Sequence, residues 1–218
     1  MTPPDLFQHD VARIALQAAA AHGFVLGGGQ ALLAHGLVDR PTEDIDLFTT
    51  AERAVPAAAT AVRAALETAG YTVHADDAQN ELADLFEGFD LDYIEWAVTL
   101  EDRCTELTLA QLPYTRGPII LDVGPVMHPD DLLASKVAAA ASRAEARDFI
   151  DIAAATRRYP LPRLLALGRT YDPGLGDQDF REAGHRLDTM NDARFAPYGL
   201  TPEQIKEVRT ALTGWPRP

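Results

Sequence analysis

Residues 26–48 read LGGGQALLAHGLVDRPTEDIDLF, and the reading of this stretch decides the fold. Its last five residues, Asp44-Ile45-Asp46-Leu47-Phe48, alternate polar and apolar, which predicts a half-buried strand. On such a strand Asp44 and Asp46 leave the same face, about 7 Å apart along the chain, and Ile45 and Leu47 point into the core. Two carboxylates side by side repel unless a cation lies between them. Mg²⁺ takes carboxylates together with phosphate oxygens, the ligand set that in-line phosphoryl or nucleotidyl transfer requires. Ahead of the strand, three glycines separate the apolar run Phe24-Val25-Leu26 from a short helix over 30–35. Glycines there let backbone N–H groups come close to a triphosphate. A tight turn or a strand-end aspartate alone would give the same letters, so only the combination is specific. No GK[ST] follows, so this is not a Walker A loop, and the GxGxxG dinucleotide context is absent.

Outward from this stretch, Leu6, Val11, Ile14, Ala15 and Ala18 fall at helical spacing and predict a helix over 6–21 that stops at Gly23. An Ala-rich helix over 52–69 closes at Gly70. Further strands are predicted over 71–74, 91–98, 106–112 and 119–123. Near Val126 the pattern changes, and helices follow over 130–143, 147–157, 161–170 and 178–190. A last helix opens at Thr201-Pro202-Glu203-Gln204, a capping box with proline in the first turn. The expectation is an α+β fold: a mixed sheet with helices over residues 1–125, then an all-helical half over 126–218.

The chain has 218 residues, enough to bury a core without staples. Asp and Glu outnumber Lys and Arg by 33 to 19, a net charge of -14. That argues against a broad nucleic-acid platform, whose affinity comes from phosphate neutralisation. A small substrate, a short docking surface or a basic partner fits better. Cys104 is the single cysteine, so no internal disulfide forms and no Cys-based zinc site is expected. His35, His74, His128 and His185 lack metal-ligand spacing. The N-terminus does not read as a signal peptide, and no stretch is apolar for the roughly 20 residues a bilayer span needs. The expected address is cytoplasmic, with no membrane partner.

A second block, HPDDLLASKVAAAASRAEARDFIDIAAA, begins at His128. Lys136 falls among Leu132, Leu133, Val137 and Ala140, so it either snorkels outwards or points at an anion. Asp148 and Asp151 share a helix face at i,i+3, and first-turn dipole stabilisation alone would account for them. Together the two blocks resemble the nucleotidyltransferase superfamily and, within it, the AbiEii/AbiGii-type toxins of bacterial toxin–antitoxin and phage-defence systems. That family reads roughly GG-x-AL, R-x-S/T-x-D-x-D-L-F, L-x-x-x-K-x-x-A and R/K-D-x-x-D. Here the matching positions are Gly28, Gly29, Ala31, Leu32, then Arg40, Thr42, Asp44, Asp46, Leu47 and Phe48, then Lys136, then Asp148 and Asp151.

The resemblance implies a nucleotidyltransferase-like sheet and transfer of a nucleoside monophosphate from an NTP to an acceptor hydroxyl. Asp44 and Asp46 would hold Mg²⁺. Gly28, Gly29, Gln30, Arg40, Thr42 and Lys136 would hold the nucleotide, and Asp148 would support the lysine or the metal from the helical half. It implies a tRNA 3′ end as acceptor and a cognate antitoxin as partner. The chain departs from the pattern in three places, of which the first is the triple glycine, longer than the family's usual pair. Gln30 stands where the family commonly has Thr or Ser. The third carboxylate that many relatives place on a neighbouring strand, often as the base for the acceptor, is absent: Gln111 falls near the expected position in 106–112, and the sequence singles out none of Asp92, Glu95 and Asp122.

Arg143 and Arg147 are candidate phosphate contacts or plain surface charge. Arg157, Arg158, Arg163 and Arg169 form the best basic cluster, a candidate RNA contact or a solvated helix face. Trp96 and Trp215 read as core anchors. Two rival functions stay open: modification of a small hydroxylated molecule such as an antibiotic, and a non-catalytic binding module that keeps the fold.

Overall fold

The computed structural model describes residues 5–42, 44–75 and 92–218. The chain divides into two compact units, Met1–His35 with Thr42–His128, and Gly36–Pro41 with Pro129–Pro218.

In the first unit α1 (Leu6–Ala18) starts at Asp5, whose carboxylate accepts from the Phe7 N–H at 2.9 Å. There follow β1 (Val25–Leu26), α2 (Gly28–Ala34), β2 (Asp44–Thr49), α3 (Val55–Thr68), β3 (Thr72–Ala75), β4 (Tyr93–Leu100), β5 (Arg103–Gln111), β6 (Ile119–Leu121) and β7 (Gly124–Val126). The strands form one mixed sheet in the order β3-β4-β5-β2-β1-β7-β6. Near its middle, β2 runs parallel to β5 and antiparallel to β1. The alternation read from the sequence is present in β2: Ile45 and Leu47 are fully buried, and Asp44 and Asp46 are half-buried on the other face. Helices α1 and α3 pack together and against the strands, and Val11, Leu16, Val55, Val62 and Leu66 join Ile45, Leu47, Leu107 and Leu109 in the core. Leu91, the expected start of β4, lies outside the described residues. Strand β7 was not expected; three residues, Gly124-Pro125-Val126, show no alternation, and Gly124 takes φ +126° to close the hairpin with β6.

The second unit holds α4 (Pro129–Ser142), α5 (Ala146–Ala155), α6 (Leu161–Tyr171), α7 (Asp177–Thr189) and α8 (Pro202–Ala211), with two short 3-10 turns at Asp192–Arg194 and Ala196–Tyr198. Helix α4 is central and packs on α5, α6 and α7, and α8 packs on α5. Gly168 lets α6 cross close to α4; a methyl there would lie 2.3 Å from Val137 Cγ1. Trp215 is buried, donates from Nε1 to the Phe180 carbonyl at 2.8 Å, stacks on the Phe180 ring and meets Phe149 edge-on. The capping box of α8 is formed in both directions, Thr201 N–H to Gln204 and Gln204 N–H to Thr201. No helix among the described residues is long and apolar enough to cross a membrane.

Candidate active site

In the first unit the glycine turn and β2 fit together atom against atom. The Gly27 N–H donates to the Asp46 carbonyl at 2.8 Å, which continues the β1–β2 ladder into the turn. Gly28 opens α2 at φ +56°, and a Cβ there would lie 1.7 Å from Asp46 Oδ2. A Cβ at Gly29 would meet Thr42 Cγ2 at 2.6 Å, and one at Gly27 would enter the Phe48 ring. The turn is therefore glycine because the backbone backs directly onto the side chains of the D-x-D strand. Thr42 Oγ1 is buried with no hydrogen-bond partner among the described residues.

In the second unit the charges are organised around Asp151, which is completely buried. Arg40 donates to it from Nε at 2.7 Å and from Nη2 at 2.9 Å, and Lys136 Nζ lies 3.1 Å from Oδ2. The two cations are 11% and 13% exposed, so one carboxylate balances two enclosed positive charges and leaves a net +1. Burial by itself works against the Arg40 charge, but the hydrogen bonds and the charge of Asp151 outweigh it and hold the guanidinium above its ordinary pKa. The Arg40 guanidinium also lies over the Tyr198 ring. Asp148, equally buried, takes a two-pronged contact from Arg143, at 2.9 Å from Nε and 2.8 Å from Nη2. That contact raises the Arg143 pKa against the opposing effect of burial.

Several placements differ from the sequence expectation. The carboxylate beside Lys136 is Asp151; Asp148 is engaged by Arg143 instead. The two aspartates differ by one helical step, and the packing of α4 on α5 decides which lysine or arginine each meets. Gln30 donates its amide to Gln8 Oε1 at 2.8 Å, a bond to α1. Arg147 pairs with Glu145, and within the basic cluster Arg163 pairs with Asp130 and Arg169 with Asp177. Gln111 pairs with Thr49 in register and shares the side of Leu107 and Leu109, the face opposite Asp46. Asp122 sits in the β6–β7 turn near His9. Glu95, in contrast, lies on the Asp46 face, a position visible only once the strand registers are known.

The residues of the first unit fit a divalent cation bound with a phosphate-bearing ligand. Asp44 and Asp46 supply hard carboxylate oxygens from one face, and the Cβ-free cradle at Gly28 leaves backbone beside Asp46. The orphaned Thr42 hydroxyl adds an uncommitted polar atom behind the turn. Among the described residues no three His, Cys, Asp or Glu side chains gather around one point, so the remaining ligands of such a cation would be phosphate oxygens and water.

A family profile described as "Nucleotidyl transferase AbiEii toxin, Type IV TA system" matches residues 10–207. No curated protein matches the chain in sequence. Among solved structures, MenT4, a nucleotidyltransferase toxin of Mycobacterium tuberculosis H37Rv, superposes with a TM-score of 0.61 at 16% identity, over 94% of this chain and 81% of that one. JHP933 of Helicobacter pylori gives 0.60 at 15% identity, over 98% of this chain and 92% of that one. These likenesses show the fold. The match over most of the chain shows the family: this protein belongs to the AbiEii nucleotidyl transferase toxins.

Proposed function

We propose that the chain transfers a nucleoside monophosphate from an NTP to an acceptor hydroxyl with the help of Mg²⁺, that the acceptor is the 3′ end of tRNA, and that an antitoxin counteracts the growth arrest that follows. The observation that supports the reading is the seating of Gly28 against Asp46 Oδ2, which leaves the backbone of the glycine turn directly beside the carboxylate that would hold the metal. Asp44 and Asp46 would hold the cation. Bound there, it would neutralise the triphosphate and polarise the α-phosphorus. The backbone of Gly28 and Gly29 would lie along the phosphates. Arg40 and Lys136, jointly one positive charge in excess of Asp151, would hold further phosphate charge, with Asp151 orienting both. Asp148 would fix Arg143. The net charge of -14 suits an acceptor gripped at one end.

Incubating the chain with α-phosphate-labelled NTPs, Mg²⁺, total RNA and a panel of hydroxylated antibiotics tests this. Label on tRNA is the expected result. Label on a small molecule would replace the acceptor, and no label together with no NTP-dependent thermal shift would leave a binding module. Gly28→Ala is a sharper local test. The new methyl forces the Asp46 carboxylate aside and must adopt a left-handed backbone, at a cost of about 1–2 kcal/mol. A displacement of about 1 Å at a reacting centre lowers the rate by roughly 100-fold, read in the same labelling assay.

A further inference from the structure

The strand registers place one row of residues across the sheet. The Gly27 N–H meets the Asp46 carbonyl; Asp46 pairs with Thr108 of β5; Thr108 pairs with Glu95 of β4. Paired residues share a face, so Asp46, Thr108 and Glu95 project to the same side, with Glu95 about 10 Å from Asp46 at two strand spacings. The side chain between them is a short threonine, and the next β5 position on that face is Ala110; both are buried. Glu95 is held in place: Tyr93, on the same face one step along β4, donates its phenolic hydrogen to Glu95 Oε2, and Thr108 also hydrogen-bonds that phenol.

In-line transfer requires the acceptor oxygen and the departing pyrophosphate on opposite sides of the α-phosphorus. With the phosphates on the glycine-turn side of Asp46, the acceptor approaches from the β5–β4 side. We infer that Glu95 is the base that receives the acceptor's proton, with Tyr93 as its positioning residue, an assignment that rests on the nucleotidyltransferase reading above. In the step, the acceptor O–H gives its proton to the Glu95 carboxylate and its electron pair forms the new bond to the α-phosphorus. The bond from that phosphorus to the bridging oxygen breaks, and pyrophosphate leaves with the electron pair. Glu106 is also on this face, but it pairs with Asp44, one row removed from the glycine turn, and it is exposed. The phenol of Tyr93 is pushed up to about 12, by burial first and then by Glu95, with Asp46 adding to it, so the phenol and both carboxylates act on one region.

The test compares wild type, Glu95→Gln, Glu95→Ala, Tyr93→Phe and Glu106→Gln with α-phosphate-labelled NTPs, Mg²⁺ and bulk tRNA. Removing a general base lowers kcat by roughly 100-fold or more. Glu95→Gln is expected to show that loss with the KM for NTP and the NTP-dependent thermal shift unchanged. Added formate restores part of the rate to Glu95→Ala, Tyr93→Phe loses kcat to a smaller extent, and Glu106→Gln stays close to wild type. A Glu95→Gln rate near wild type, a loss of NTP binding in that variant, or the large loss appearing in Glu106→Gln overturns the assignment and leaves the transfer reaction standing. No labelling by wild type overturns both.

Discussion

Replacing Asp46 with Asn is expected to cut transfer by about 1000-fold, the upper range for removing one electrostatic contact to a reacting phosphate centre. Asn keeps the volume that Gly28 packs against, so the glycine turn stays seated. What is lost is charge: a neutral amide is a poor ligand for a hard divalent cation, and the triphosphate then keeps its full repulsion toward the incoming oxygen. The fold should be unaffected. Asp46 sits half-exposed on the site face, and the core residues Ile45 and Leu47 point the other way. An unchanged transfer rate in Asp46→Asn would remove the metal assignment.

Asp151→Asn should have the largest effect on stability, about 3–5 kcal/mol, because it leaves buried cations without their counter-charge. Asp151 has no exposed surface, and the two groups it serves are 11% and 13% exposed, so neither can be re-solvated where it stands. For a chain of this size that is a fall in melting temperature of roughly 10 °C or more. Lys136→Met is the informative contrast. Asp151 keeps both hydrogen bonds from Arg40, so stability should fall by only about 1–2 kcal/mol, while transfer falls through lost phosphate binding. Denaturant melts and labelling rates on both variants separate the two roles. Equal stability losses would mean that Lys136 is chiefly structural.

Much of this was legible in the sequence for local reasons. The alternation of residues 44–48 places two carboxylates on one face whatever surrounds them, and the glycine run marks a turn that no other residue would enter. The order of the helices after Val126 followed from periodicity and caps, as at Thr201. What could not be read depends on pairing across distance. Arg40 meets Asp151 over 111 residues of chain. Asp148 and Asp151 are equivalent in a helical pattern, and only the packing of α4 on α5 gives Lys136 to one and Arg143 to the other. Gln111 looked like the natural position for a further acid because it ends the right strand. Its register with Thr49 turns it to the far face, and it is β4, one strand further out, that brings Glu95 to the Asp46 side. The three-residue β7 carries too few positions for any period to show.

The central claim, that Asp44 and Asp46 direct nucleotidyl transfer and not another phosphate chemistry, is tested most directly by the fate of label placed at two positions of the NTP. With Mg²⁺ and tRNA, label at the α-phosphate should enter the RNA, and label at the γ-phosphate should be recovered in pyrophosphate. Both signals should vanish in chelator and in Asp46→Asn. Transfer of the γ-label to an acceptor, or α-label transfer that persists in Asp46→Asn, would contradict the account.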